Sequence, residues 1–157
     1  MQQIPLLPVF RVLKAADETV NNSSTFQDDN ELKFHARANG VFLVDIVVLV
    51  NSGSTPNIKF QLTLPSGASV KWDMQAANTS GSVLHRYSGI SGESGTDEMN
   101  VFRAHVATAG TAGAVTLQWA QSTAHASDSK VLANSFLIVQ QIDPVPVIPG
   151  LAHAPTP

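Results

Sequence analysis

The run GVFLVDIVVLVN, from Gly40 to Asn51, constrains the fold of this chain more than any other stretch. It is rich in β-branched residues, which suit a pleated strand and lose rotamer freedom in a helix, so it is predicted to form a strand. One face of that strand would carry Phe42, Val44, Ile46, Val48 and Val50. The other would carry Val41, Leu43, Asp45, Val47 and Leu49, in which Asp45 is the one polar residue.

An antiparallel strand with one solvated face normally alternates apolar and polar residues. Both faces of this strand are apolar, so both must be covered. We expect the core of the chain on one side and a neighbouring copy of the same protein on the other, with Val41, Leu43, Asp45, Val47 and Leu49 at that interface. A lone carboxylate is costly to bury unless it is paired. Asp45 therefore either meets solvent near a sheet edge or pairs with a basic side chain from a neighbouring strand or subunit.

Most of the remaining chain alternates apolar and polar residues in short runs separated by Gly, Pro, Ser and Asn. This pattern predicts about eight strands and an all-β sandwich or barrel. The predicted strands besides the central one are Val9–Ala15, Glu31–Arg37, Asn57–Leu64, Ala68–Met74, Val83–Tyr87, Met99–Ala109, Ala114–Gln121 and Val131–Ile142.

The two ends of the chain differ from this pattern. Residues 1–8 contain two prolines, which disfavour a helix, and the large aliphatic residues Ile4, Leu6 and Leu7. Residues 143–157 are proline-rich and favour an extended path; their apolar residues include Val145, Val147 and Ile148. We predict a domain over residues 9–142 with an extended arm at each end, and we expect both arms to dock on another surface.

The composition narrows the classes of function. The 157 residues carry a net charge of −3, which disfavours a surface for phosphate backbones, so no nucleic-acid partner is predicted. The absence of cysteine excludes disulfides, thiol chemistry and zinc–thiolate sites. The start of the chain lacks the features of a signal peptide, and no apolar run reaches the roughly 20 residues of a membrane helix. We expect a soluble protein made in a cytoplasm, with no membrane partner.

No pattern of residues indicates catalysis, a metal or a cofactor. The five histidines lack metal-ligand spacing. The acidic residues Asp28, Asp29 and Glu31 lack the spacing of a calcium loop, which favours a polar turn, although cation binding there stays open. Trp72 and Trp119 fall on the inward register of their strands, which favours a core role over a sugar platform. We therefore predict a non-enzymatic protein.

Four stretches resemble a family of jelly-roll proteins from tailed-bacteriophage virions. They are VLKAADETVNNSSTFQDDNELKF, NSGSTPNIKFQLTLPSGASVKW, AGTAGAVTLQWAQ and SFLIVQQI. The third is the most specific, and the last departs at Gln141, where the family often has a basic residue. The resemblance covers about residues 12–142 and neither arm. Members of the family resemble the trimeric jelly rolls of tumour necrosis factor and the complement globular head.

The resemblance implies a single jelly roll, a homotrimer and a structural role in a virion, with the major capsid protein or another virion protein as partner. A small jelly roll with two arms is typical of a capsid decoration protein, which would stabilise the shell by clasping neighbouring subunits. A tail, collar or head-fibre component is the alternative. A carbohydrate-binding adhesin is a second alternative, and a polysaccharide-cleaving enzyme is a distant third.

Overall fold

The computed structural model describes residues 8–53, 55–74, 86–90 and 96–142. Across these ranges the chain forms eleven strands and no helix, which confirms the all-β prediction. The strands are β1 (Val9–Leu13), β2 (Glu18–Val20), β3 (Gln27–Ala36), β4 (Val41–Ser52), β5 (Ile58–Thr63), β6 (Ser69–Met74), β7 (Arg86–Ile90), β8 (Glu98–Ala107), β9 (Gly113–Gln121), β10 (Ser129–Val131) and β11 (Phe136–Gln141).

The strands form two antiparallel sheets. Sheet A has the order β1-β11-β4-β8-β6. The last residues of β4, from Val50 to Ser52, extend beyond β11 and pair with β10, which in turn pairs with β2. Sheet B has the order β3-β9-β5-β7. The outermost strands in sequence, β1 and β11, pair with each other, and β3 pairs with β9. β2 and β10 are three-residue additions, and β6 is an extra edge strand beyond β8. The other eight strands have the connectivity of a jelly roll.

The core lies between the two sheets and is built from the inward residues of each alternating strand. Phe60 of sheet B meets Phe102 of sheet A edge-on, with ring centroids 5.3 Å apart, and Phe34 meets Phe42 in the same way at 5.7 Å. Aromatic pairs favour this edge-to-face geometry. The fully buried residues include Leu32, Val44, Ile46, Val48, Val50, Ile58, Leu117 and Trp119.

Strand β4 is the central strand of sheet A, as its sequence predicts. It pairs with β8 from Val41, opposite Ala107, to Val50, opposite Glu98. Gly40 opens the strand at a point of close packing, because a Cβ placed there would lie 2.7 Å from the Phe42 ring. The preceding Asn39 has a φ of 51°, a left-handed conformation that asparagine tolerates better than most residues.

The start of β3 differs from the prediction. The strand begins at Gln27 rather than Glu31, because Gln27 and Asp28 already pair with Trp119 and Gln118 of β9. The register then shifts between Asp28 and Lys33. The acidic segment is therefore an irregular part of a strand, and its prediction as a separate polar turn is wrong.

The last predicted strand is also two strands. β10 and β11 are separated by a turn in which Asn134 has a φ of 68°. The Ser135 hydroxyl donates to the Leu132 carbonyl at 2.8 Å and accepts the Leu49 amide at 2.9 Å, which fixes the turn against β4. β2 lies between the predicted strands Val9–Ala15 and Glu31–Arg37, where the sequence predicts no strand, and it pairs with β10 over three residues. Strand β7 lies at Arg86–Ile90, partly beyond the predicted Val83–Tyr87, of which residues 83–85 lie outside the described ranges.

Candidate interaction surface

The outward face of β4 carries the five residues that the sequence places at an interface. Val41, Leu43, Asp45, Val47 and Leu49 all point away from the core, and each is half-buried, whereas the alternate residues from Phe42 to Ser52 are buried. The predicted division of this strand into two faces is confirmed. The role of the outward face as an interface between copies stays a prediction.

Neighbouring strands extend this face with further apolar side chains. Val47 lies between Val101 of β8 and Phe136 of β11, and Leu49 lies opposite Met99, which is 66% exposed. At the edge, Leu13 of β1 lies opposite Phe136 and is 63% exposed. We call this surface the apolar face, and it comprises Val9, Leu13, Val41, Leu43, Val47, Leu49, Met99, Val101, Phe136 and Ile138.

One charged row crosses the apolar face. Arg103 of β8 lies directly opposite Asp45, and its Nε donates to Asp45 Oδ1 at 2.6 Å. This hydrogen bond and the attraction of the two charges raise the pKa of the Arg103 guanidinium above its ordinary value, against a small opposing effect of desolvation. The Arg103 side chain is 53% exposed and the Asp45 side chain is 29% exposed. Of the two alternatives for Asp45, the pair with a neighbouring strand is the one observed.

The outward face of sheet B is polar. Gln118 of β9 donates through Nε2 to Asp28 Oδ1 at 2.6 Å and accepts a hydrogen bond from Gln61 of β5, so a row of polar side chains crosses three strands. At one side of this row, the Lys59 Nζ lies 4.7 Å from the centre of the Phe26 ring, a cation–π contact. The polar side chains of this row are suited to contact with solvent.

The residues considered for chemistry are dispersed or buried. Trp72 and Trp119 are 6% and 0% exposed, so the inward register predicted for both is confirmed, and neither forms a sugar platform. His35 and His105 are exposed on strands of different sheets. Among the residues that the structure describes, no group of three or more histidine, aspartate or glutamate side chains is arranged to hold a metal ion. His85 and His153 lie outside those ranges.

The acidic segment of β3 contains the feature that the sequence analysis missed. Asp29 is fully buried, and its carboxylate meets the ammonium of Lys14, which is 1% exposed. Lys14 lies just beyond β1, in which Phe10 and Val12 pair with the buried Val139 and Leu137 of β11, so the same alternation places residue 14 inward. A lysine at an inward position of a strand was the available signal.

The predicted arms lie almost entirely outside the described residues. The apolar side chains proposed to dock, Ile4, Leu6 and Leu7 at one end and Val145, Val147 and Ile148 at the other, all belong to residues 1–7 and 143–157. The first described residue, Pro8, continues the pairing of β1 with β11 by accepting the Gln141 amide at 3.2 Å.

Comparison with protein-family models, curated proteins and solved structures finds no match for this chain. Over the described ranges, none of the structure is a helix of the length and apolarity that crossing a membrane requires.

Proposed function

We propose that this chain is a non-enzymatic structural protein of a tailed-bacteriophage virion and acts as a homotrimeric capsid decoration protein. The observation that carries the proposal is the apolar face, which spans four strands of sheet A while the opposite side of the sandwich is polar. An apolar surface of this kind, bordered by polar residues, marks an interaction site. The sequence resemblance to virion jelly rolls supports the structural role and the three-fold assembly.

A second copy of the chain is the occupant that suits the apolar face best. On one side of the Asp45–Arg103 pair the face is apolar, with Val47, Val101 and Phe136 side by side. On the other side Leu43 lies between Gln140 and His105, and the pair itself carries one charge of each sign. Around a three-fold axis each copy meets two neighbours through unlike parts of its surface, so one part of the apolar face would pack against a different part of the next copy, to which Asp45 and Arg103 offer a charge of each sign. Burial of a large aliphatic side chain contributes roughly 1.5–3 kcal/mol, and the apolar face holds several on each copy.

In this proposal the trimer sits on a three-fold or quasi-three-fold point of the shell, and the arms clasp the neighbouring capsid subunits. The docking residues are those predicted from the sequence, Ile4, Leu6, Leu7, Val145, Val147 and Ile148. Arms tethered to one trimer bind at a high effective concentration, so modest contacts at each arm add to a strong attachment. The protein would be made in the cytoplasm of the bacterial host and function in the virion.

The experiment is to locate the chain in purified virions of its source phage with antibody raised against the full-length protein. Labelling of the head supports a decoration role, and labelling confined to the collar, tail or head fibre supports the alternative component. A virion preparation without the chain contradicts both. Deletion of residues 1–8 or 143–157, assayed by binding to particles lacking the protein, then tests the clasp. Full binding by both deletion variants contradicts that part of the proposal.

A further inference from the structure

Lys14 has an unusual environment for a lysine. Its side chain is fully buried, and its Nζ lies 3.0 Å from Asp29 Oδ2, 3.1 Å from Asp29 Oδ1, 3.2 Å from Glu18 Oε1 and 3.7 Å from Glu31 Oε2. Taking an ammonium and a carboxylate out of water is costly, and a buried ion pair is often no more stable than apolar packing. A lysine amine that loses its proton in such a place is a nucleophile.

The two oxygens of Asp29 have different surroundings. Oδ1 accepts the backbone amides of Glu31 at 2.9 Å and Leu32 at 2.8 Å. Oδ2 is buried and accepts no hydrogen bond from the described backbone amides. It contacts the Lys14 ammonium as an ion pair. Two amides on one oxygen form the kind of site that stabilises the oxyanion of a tetrahedral intermediate. The other oxygen is then the one free to leave.

Glu18 lies beside the lysine end of the pair. Its Oε1 lies 3.2 Å from the Lys14 Nζ and also accepts the Asn30 amide at 2.9 Å, while its Oε2 is buried without a hydrogen-bond partner among the described residues. Glu31 has a positioning role, because its Oε2 accepts the Ala15 amide at 2.9 Å. Glu31 therefore holds the backbone next to Lys14 in place.

We propose that Lys14 and Asp29 join in an intramolecular isopeptide bond, with Glu18 as the proton carrier. The Lys14 ammonium gives a proton to Glu18, and this proton passes to Asp29 Oδ2. The neutral amine then attacks Cγ of the resulting carboxylic acid while the Oδ1 oxyanion is held by the two backbone amides. Two protons from the former ammonium, one of them by way of Glu18, reach Oδ2, which leaves as water. The product is a neutral amide with one N–H, Glu18 is regenerated, and the step needs no oxidant or co-reactant.

The bond would tie the end of β1 to the irregular start of β3. β1 is an edge strand whose one hydrogen-bonded neighbour in the described structure is β11, so breaking a single set of strand hydrogen bonds would release it from sheet A. A covalent link removes conformations from the unfolded chain and resists pulling on the N-terminal arm. It also replaces two buried charges by a neutral amide. The inference stands on the Lys14 cluster alone and does not depend on the proposed virion role.

The test is mass spectrometry of the full-length protein in denaturing solvent, followed by trypsin digestion. The expected protein is one water lighter than its sequence. Trypsin, which cannot cleave after an acylated lysine, should release residues 12–33 as one dehydrated peptide. A protein of full mass that is cleaved after Lys14 overturns the proposal. A dehydrated protein that is still cleaved after Lys14 overturns it equally, because that pattern means a cyclic imide at an aspartate.

Three variants assign the roles. Lys14→Arg keeps the charge without the nucleophile and should have full mass and cleavage after residue 14. Glu18→Gln cannot accept the proton and should form the bond at least tenfold more slowly, followed as the dehydrated fraction over time after refolding. Lys33→Arg is the matched control, since it changes an exposed lysine of β3, keeps the trypsin site and should be fully dehydrated. Unchanged kinetics in Glu18→Gln would remove Glu18 from the mechanism.

Discussion

The middle of sheet B carries Gln61 and Gln118 on its outer face, whereas the middle of sheet A carries Val47, Val101 and Phe136. The two faces belong to the same sandwich and rest on the same core. On sheet B the polar side chains bond to one another across strands and need no further partner. On sheet A the corresponding side chains have no polar group to offer water, and we expect another molecule to cover them.

The difference also separates the two sides of β4. Its inward residues are buried in the core of the chain, and its outward residues are half-buried. In the proposed assembly the outward residues would gain further burial, so substitutions at alternate positions of β4 should affect the stability of the single chain and the association of copies separately.

Val47→Arg should have the strongest effect on assembly. An unpaired charge in the centre of the apolar face costs about 3 kcal/mol or more when a neighbouring copy covers it, which weakens association by over about a hundredfold. Thr63→Arg is the matched control, because it places the same side chain on the outer face of sheet B. Size-exclusion chromatography with light scattering should give dissociated Val47→Arg and an unaffected Thr63→Arg. Equal behaviour of the two variants would contradict the distinction between the faces.

Val48→Ala tests the other side of the same strand. Val48 is fully buried, so its truncation leaves a cavity in the core and should lower the free energy of unfolding by about 2 kcal/mol. Denaturant unfolding should show this loss at every protein concentration. Val47→Ala should show a loss that grows with protein concentration, since it removes contacts between copies. A concentration-independent loss in Val47→Ala would place that residue in the stability of the single chain.

Asp45→Ala removes the carboxylate that accepts the Arg103 hydrogen bond on the apolar face. We expect association to weaken by about tenfold, because the cationic group must then be desolvated without its partner. Arg103→Ala should weaken association similarly, and the double variant should recover part of the loss. Additive losses in this double-mutant cycle would show that the two side chains do not act as a pair.

The same pair has a defined pH dependence. The pKa of Arg103 is raised in the folded protein, so the stabilisation that rests on its charge is fully present below the ordinary arginine pKa and is lost as pH rises through the raised value. The guanidinium therefore contributes no pH dependence across the neutral range. Association measured across the neutral pH range should therefore show no change that originates from the charge of Arg103.

Gln118→Ala should have the smallest effect. It interrupts the polar row of sheet B, whose members are partly solvated and can bond to water instead, so a loss of at most about 1 kcal/mol is expected in denaturant unfolding. Association should be unchanged. Weaker association of Gln118→Ala would mean that sheet B also contributes to an interface.

Local alternation was enough to predict most of the fold. The pattern Ile58, Phe60, Leu62 places β5 to within a residue, and the two apolar faces of β4 could be read directly from the sequence. β2 and β10 could not be predicted, because three residues are too few to show an alternation of apolar and polar side chains. Their pairing also depends on strands that are distant in the chain. The turn between β10 and β11 rests on contacts of Ser135 with β4, far away in the chain.

The candidate sites divide in the same way. The outward residues of β4 follow from the period of two, so they could be named in advance. The partner of Asp45 lies on β8, and the partner of Asp29 is a lysine beyond β1; both pairings are made by the fold and have no local signature. Lys14 was visible only as a lysine on an inward register, and the sequence did not show what it would meet.

Sedimentation equilibrium of the full-length protein at dilute concentration addresses the apolar face most directly. If copies of the chain cover that face, the measured mass should be three times that of one chain, and hydroxyl-radical labelling of Leu43 and Leu49 should be low. A folded species with the mass of one chain, in which Leu43 and Leu49 are readily labelled, would contradict the account.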